Sequence, residues 1–121
     1  MAIGLHFSGG TAHADCAATL TEFDDVYCYA KTYITSDDAL NAAYKALTPK
    51  LDTEAKAALK KSQLAWMKRR NEECGETSSD GYAVHLSCAI DFTQTRTQFL
   101  RDRTAECDTG KCDLGKLGEV E

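Results

Sequence analysis

The residues with the most chemistry in this 121-residue chain are six cysteines: Cys16, Cys28, Cys74, Cys88, Cys107 and Cys112. Thiols in such number build disulfides, a zinc site or a redox pair. Zinc and redox sites favour a Cys-x2-Cys pair, which is absent. The three histidines, His6, His13 and His85, have no ligand spacing among themselves or with the cysteines. No metal and no cofactor is expected. Nucleophilic catalysis fares no better, because no Ser/His/Asp arrangement and no glycine-rich phosphate loop is present, and paired cysteines leave no thiolate.

A second set of residues stands out by position. Asp37 and Asn41 interrupt an apolar seam, Gln63 and Arg70 share a stripe with Trp66, and Thr93 and Arg96 share another. A buried charge without a partner is very costly, so Asp37 is expected to be buried against Arg70 or Arg96. These residues read either as a hydrogen-bonded network fixing helix register or as an acid/base or binding site. One carboxylate facing two guanidiniums is held ionised and makes a poor general base, which favours the structural reading.

The elements that must position these groups are helical. Thr21 is a good N-cap, with Asp24 and Asp25 in the turn that follows. From there Phe23, Val26, Ala30, Tyr33, Asp37, Leu40, Tyr44 and Leu47 recur at steps of three and four. One helix over about 21–48 is expected, with a break near Ser36 as the alternative, and Pro49 ends or kinks it. Asp52 and Thr53 open a second helix whose buried face is Ala55, Leu59, Ser62, Gln63, Trp66 and Arg70, running to about Cys74. Residues 75–81 (GETSSDG) read as a loop. A third helix over about 83–106 carries Leu86, Ile90, Thr93, Arg96 or Thr97, and Leu100. The remainder reads as an irregular tail with a Cys-x4-Cys loop. No strand pattern appears. The expected fold is an all-α, antiparallel three-helix bundle, four-helix if the first helix breaks, stapled by disulfides.

Those helices fix which cysteines can meet. Cys28 lies about 10 Å into the first helix at 1.5 Å per residue. The segment from Cys16 to the cap reaches ~16 Å when extended, so it can fold back onto Cys28. Cys74 and Cys88 flank a short connection, and Cys107 and Cys112 can close the tail loop. The sequential pairing 16–28, 74–88 and 107–112 is therefore expected from among the many that six cysteines allow. A loop of about 15 residues closed in this way contributes roughly 3 kcal/mol in the chain-entropy picture.

Composition bounds the partner. The net charge of −5 argues against nucleic acid and for a cationic protein partner. No run approaches the ~20 apolar residues of a membrane span. Ala12-His13-Ala14 is a small-x-small cleavage pattern, so residues 1–14 read as a truncated export signal or disordered N-terminus, and 15–106 as the folded domain. Disulfide chemistry agrees with a periplasmic or secreted location. Lys60-Lys61-Ser62 and Lys68 to Arg70 make the middle helix basic, which is the pattern of a solvated face.

Taken together, these positions resemble the LprI-type lysozyme-inhibitor family, small helical domains exported by bacteria. The family pattern Asp-x-x-Leu-Asn-x-x-Tyr, Gln-x-x-Trp-x-x-x-Arg-x-x-x-Cys, Cys and Thr-x-x-Arg-x-x-x-Leu is met at Asp37, Leu40, Asn41, Tyr44, Gln63, Trp66, Arg70, Cys74, Cys88, Thr93, Arg96 and Leu100. Cys16 and Cys28 also fit. Asn71 departs from it, standing where the family usually has Asp, and the 107–121 tail lies outside the pattern. The resemblance implies a non-enzymatic inhibitor of a lysozyme-type muramidase or related cell-wall hydrolase. Lys68, Arg69, Glu76 and Asp80 are the candidate contacts, because a carboxylate-lined cleft is blocked by an exposed loop or a cation. The alternative is an envelope interaction domain with no hydrolase target.

Overall fold

The computed structural model describes Cys16 and residues 21–120. The expected N-terminal segment 1–14 lies outside the described residues. Helix α1 spans Glu22–Leu47 without a break at Ser36. Thr21 caps it, its hydroxyl accepting from the Asp24 amide at 3.0 Å. The 3-10 turn Thr48–Lys50 ends α1 at Pro49. Asp52 then caps α2, Thr53–Cys74, by accepting from the Ala55 amide at 2.8 Å. Both caps satisfy amides that a helix start leaves without intrahelical partners.

The connection after α2 is not a loop. Strands β1, Gly75–Ser78, and β2, Gly81–Val84, form an antiparallel hairpin with Gly75 opposite Val84 and Ser78 opposite Gly81. The turn needs Gly81, whose φ of +123° is one that side-chain-bearing residues rarely adopt. Each strand is only four residues long and all of β2 is exposed, so no apolar alternation announces them in the sequence. The fold is mostly helical rather than all-α. Because the hairpin takes residues up to Val84, α3 starts at Leu86 instead of 83, and it runs to Asp108.

The tail also differs from its reading. A short helix α4, Leu114–Leu117, is capped by Asp113, and Leu117 is fully buried in the core. The core gathers Leu40 and Leu47 of α1, Leu51, Leu59 and Trp66 of α2 and its approach, Phe99 and Leu100 of α3, and Leu117. Each such side chain contributes about 1.5–3 kcal/mol on burial. Every face residue expected for α2 is buried. The seam of α1 is buried only in its C-terminal half: at the N-terminal end Phe23 is 77% exposed, and Val26 is exposed too.

Disulfides join Cys16 to Cys28, Cys74 to Cys88 and Cys107 to Cys112, with Cα separations of 5.4, 5.5 and 4.2 Å. These separations lie close to the range that a disulfide spans. The second bridge ties the end of α2 to the start of α3 and closes the base of the hairpin, where the His85 amide also donates to the Cys74 carbonyl at 2.8 Å.

Candidate functional site

The polar residues singled out by position separate into two clusters, one buried and one at the surface. Arg96 is 1% exposed. Its Nε donates to Gln63 Oε1 at 2.8 Å and its Nη2 to Ser62 Oγ at 3.1 Å. Its Nη1 donates to the carbonyls of Glu119 and Val120, at 2.8 and 3.3 Å. The guanidinium carbon stands 4.0 Å from the Phe99 ring centre. Ser62 completes the cluster by donating to the Leu117 carbonyl at 2.7 Å. Arg96 thus fastens the chain's C-terminal segment to α2. It does not meet Asp37.

Arg70 holds the other cluster. Its guanidinium lies 5.1 Å from the Trp66 ring centre and 5.7 Å from that of Tyr33. Its Nε donates to Asn71 Oδ1 at 3.2 Å, so the residue that departs from the family pattern supplies an acceptor. Asp37 Oδ1 is 4.0 Å from Arg70 Nη1, and Oδ2 accepts from Asn41 Nδ2 at 3.4 Å. The Asp37 side chain is 42% exposed, which corrects its expected burial. α1 turns this position to the rim of the core, where water solvates the carboxylate. Thr93 is buried as expected but belongs to neither cluster, since its hydroxyl has no hydrogen-bond partner among the described residues.

The four candidate contact residues lie around the hairpin. Lys68 pairs with Glu72 at 2.6 Å and Arg69 with Glu73 at 3.5 Å, both one turn along α2. Glu76 of β1 meets His85 Nε2 at 3.1 Å, and Asp80 forms the turn, its amide donating to Ser78 Oγ at 3.3 Å. An open groove brings Lys68 beside Gly75, Thr77 and Tyr82 of the hairpin. Arg69 is not part of it and lines a separate pocket with Trp66 and Phe92.

Tyr82, Gly75 and Tyr33 were not evident as site residues. The Tyr82 hydroxyl donates to the Asn71 carbonyl at 3.1 Å, and a Cβ at position 75 would collide with both groups. The glycine allows the ring to lie over the end of α2. The spacing of Tyr33, one helical turn before Asp37, is the signal that could have linked it to Arg70.

Among the described residues every cysteine is in a bridge, and no group of His, Cys, Asp or Glu could hold a metal ion. No helix of the described residues is long and apolar enough to cross a membrane. What the surface offers is a solvent-facing hairpin beside basic side chains, an arrangement suited to recognition. Comparison with known proteins gives one relationship. No curated protein and no solved structure matches the chain. A family model described as lysozyme inhibitor LprI does match, over residues 11–100. That span takes in Asp37, Gln63, Arg70, Arg96 and the whole hairpin, and the chain belongs to the LprI lysozyme-inhibitor family.

Proposed function

We propose that the protein is a periplasmic or secreted inhibitor of a lysozyme-type muramidase, acting by protein–protein binding without catalysis of its own. Membership of the LprI family carries this reading. Three disulfides suit an oxidising compartment outside the cytoplasm. The net charge of −5 favours encounter with a cationic hydrolase.

The contact edge in this reading is the hairpin with the adjoining end of α2. Tyr82 is 59% exposed on a strand whose base is fixed by the Cys74–Cys88 bridge. A large aromatic side chain on a preorganised support loses little entropy on binding, the usual quality of an interface anchor. Lys68 supplies a cation for a carboxylate-lined cleft, and Glu76 and Asp80 face the basic surface around it.

The test is clearing of a bacterial cell suspension by a muramidase at about 0.15 M salt, where exposed charges are screened over ~8 Å. The purified oxidised protein is expected to slow clearing, and Tyr82→Ala to slow it much less. Inhibition no better than that of an unrelated acidic protein of equal charge would leave an envelope interaction domain as the reading.

A further inference from the structure

α1 packs chiefly against α3, and the middle of α1 meets α2 far less closely. The two helices leave a groove of about 450 Å³ between them. That volume is within the ~300–1,000 Å³ usual for small-molecule sites. Leu40 and Gln63 lie at its buried side, Asn41, Tyr44, Leu64 and Met67 line it further out, and the charged side chains of Asp37, Lys60 and Arg70 complete the lining. Leu64 and Met67 are large apolar residues left exposed.

The direction of the two amide side chains is fixed by their neighbours. An arginine only donates, so the 2.8 Å contact from Arg96 Nε holds the Gln63 carbonyl oxygen towards Arg96. The Gln63 NH2 is the end left for the groove. A carboxylate only accepts, so Asp37 draws the Asn41 NH2 towards itself at 3.4 Å. The Asn41 carbonyl oxygen is the end left there. Besides Lys60 and the Asp37–Arg70 pair, the groove therefore offers a neutral donor from α2 and a neutral acceptor from α1 on either side of an apolar surface. A secondary amide is the complement of that pair, its C=O meeting Gln63 and its N–H meeting Asn41.

A peptide strand would need such pairs repeated along its length, and helical walls have no backbone groups to supply them. A single acetamido group needs only one pair, an apolar patch for its methyl and a flat face for the ring beside it. Leu64 and Met67 provide the patch and Tyr44 the face. We propose that the α1–α2 groove binds an N-acetylated amino sugar through its acetamido group. This ligand is a glycan unit, so the proposal does not depend on inhibition of any hydrolase.

The experiment is an amide-detected NMR titration of the full oxidised chain with the N-acetylglucosamine trimer. The glucose trimer of the same linkage and N-acetylalanine methylamide serve as the other two probes. The acetylated trimer is expected to give saturable shifts confined to residues of the groove walls. The glucose trimer, which lacks both acetamido hydrogen bonds, should bind at least about tenfold more weakly, as should the acetylated trimer to Asn41→Leu, which lacks one worth about 1.4 kcal/mol. Met67→Glu, at an exposed position, checks the apolar wall independently and should weaken binding similarly. The proposal is overturned by an absence of saturable shifts, by equal response to the glucose trimer, or by unchanged affinity in both variants. Binding of the peptide amide in place of the sugar overturns it equally.

Discussion

Arg96 of α3 donates through Nε to Gln63 Oε1 of α2 at 2.8 Å, and the same guanidinium holds the Glu119 carbonyl at 2.8 Å. One side chain therefore ties together two helices and the C-terminal segment. Arg96→Ala would leave Gln63, Ser62 and buried carbonyls without their donor and would open space beside Phe99. A loss of about 3–5 kcal/mol is expected, read as a lowered urea midpoint. Arg96→Lys should recover only part of it, because an ammonium cannot reproduce a planar fork that donates in three directions. A midpoint unchanged in Arg96→Ala would contradict the arrangement.

Asp37 should behave differently. Its carboxylate is half-exposed and stands 4.0 Å from Arg70, a separation at which an ion pair near solvent contributes little. Asp37→Ala is expected to cost no more than about 1 kcal/mol, because the two aromatic rings still cover Arg70. Thermal unfolding monitored by circular dichroism distinguishes this from the loss of several kcal/mol that a buried pair would give.

Gly75→Ala probes the hairpin. The added methyl meets the Tyr82 hydroxyl and the Asn71 backbone carbonyl, and only the tyrosine can swing away. A cost of about 1–3 kcal/mol is expected from overpacking of this kind. Displacement of the tyrosine should also weaken muramidase inhibition by more than the loss of folded protein explains. Activity that follows the folded fraction alone would separate the hairpin from the contact edge.

Acid stability should depend on Glu106. Hydrogen bonds from Arg103 at 2.8 and 2.7 Å, assisted by the charges of Arg103 and Lys116, hold its carboxyl below the ordinary value of 4.5. A carboxylate whose pKa is lower in the folded state stabilises the fold above its unfolded pKa. That contribution is lost as pH falls through the folded value. Glu106→Gln should therefore lower the thermal midpoint near neutrality and match the wild type once pH is well under 4.5. A difference that persists at low pH would assign the effect to packing.

Much of this architecture was legible in the residues themselves. Thr21 is a good cap by type and position and caps as expected, and α2 opens at Asp52 and Thr53 where the residues suggest. The reach from Cys16 to Cys28 follows from helical rise and chain length alone. The α2 face from Ala55 to Arg70 is buried in full because a tight helical period leaves few choices. Other features depended on neighbours that periodicity does not reveal. The same period that buries Leu40 leaves Phe23 exposed, since the pattern shows which side could pack and not how far the packing partner extends. The acceptors of Arg96 at Glu119 and Val120 are backbone carbonyls, which carry no sequence signature. The hairpin is too short and too exposed for alternation to show.

The hydrogen bond from Ser62 to the Leu117 carbonyl joins residues 55 positions apart. Local helical contacts form early in folding, whereas a contact across so long an interval must first overcome the entropy of closing the chain. It also requires α2 and the end of α3 to be in place. The docking of Leu117 is therefore expected to be a late event. Interactions made after the transition state change the unfolding rate and leave the folding rate nearly untouched. The short C-terminal helix is therefore expected to act as a kinetic lock, lengthening the lifetime of the native state without hastening its formation.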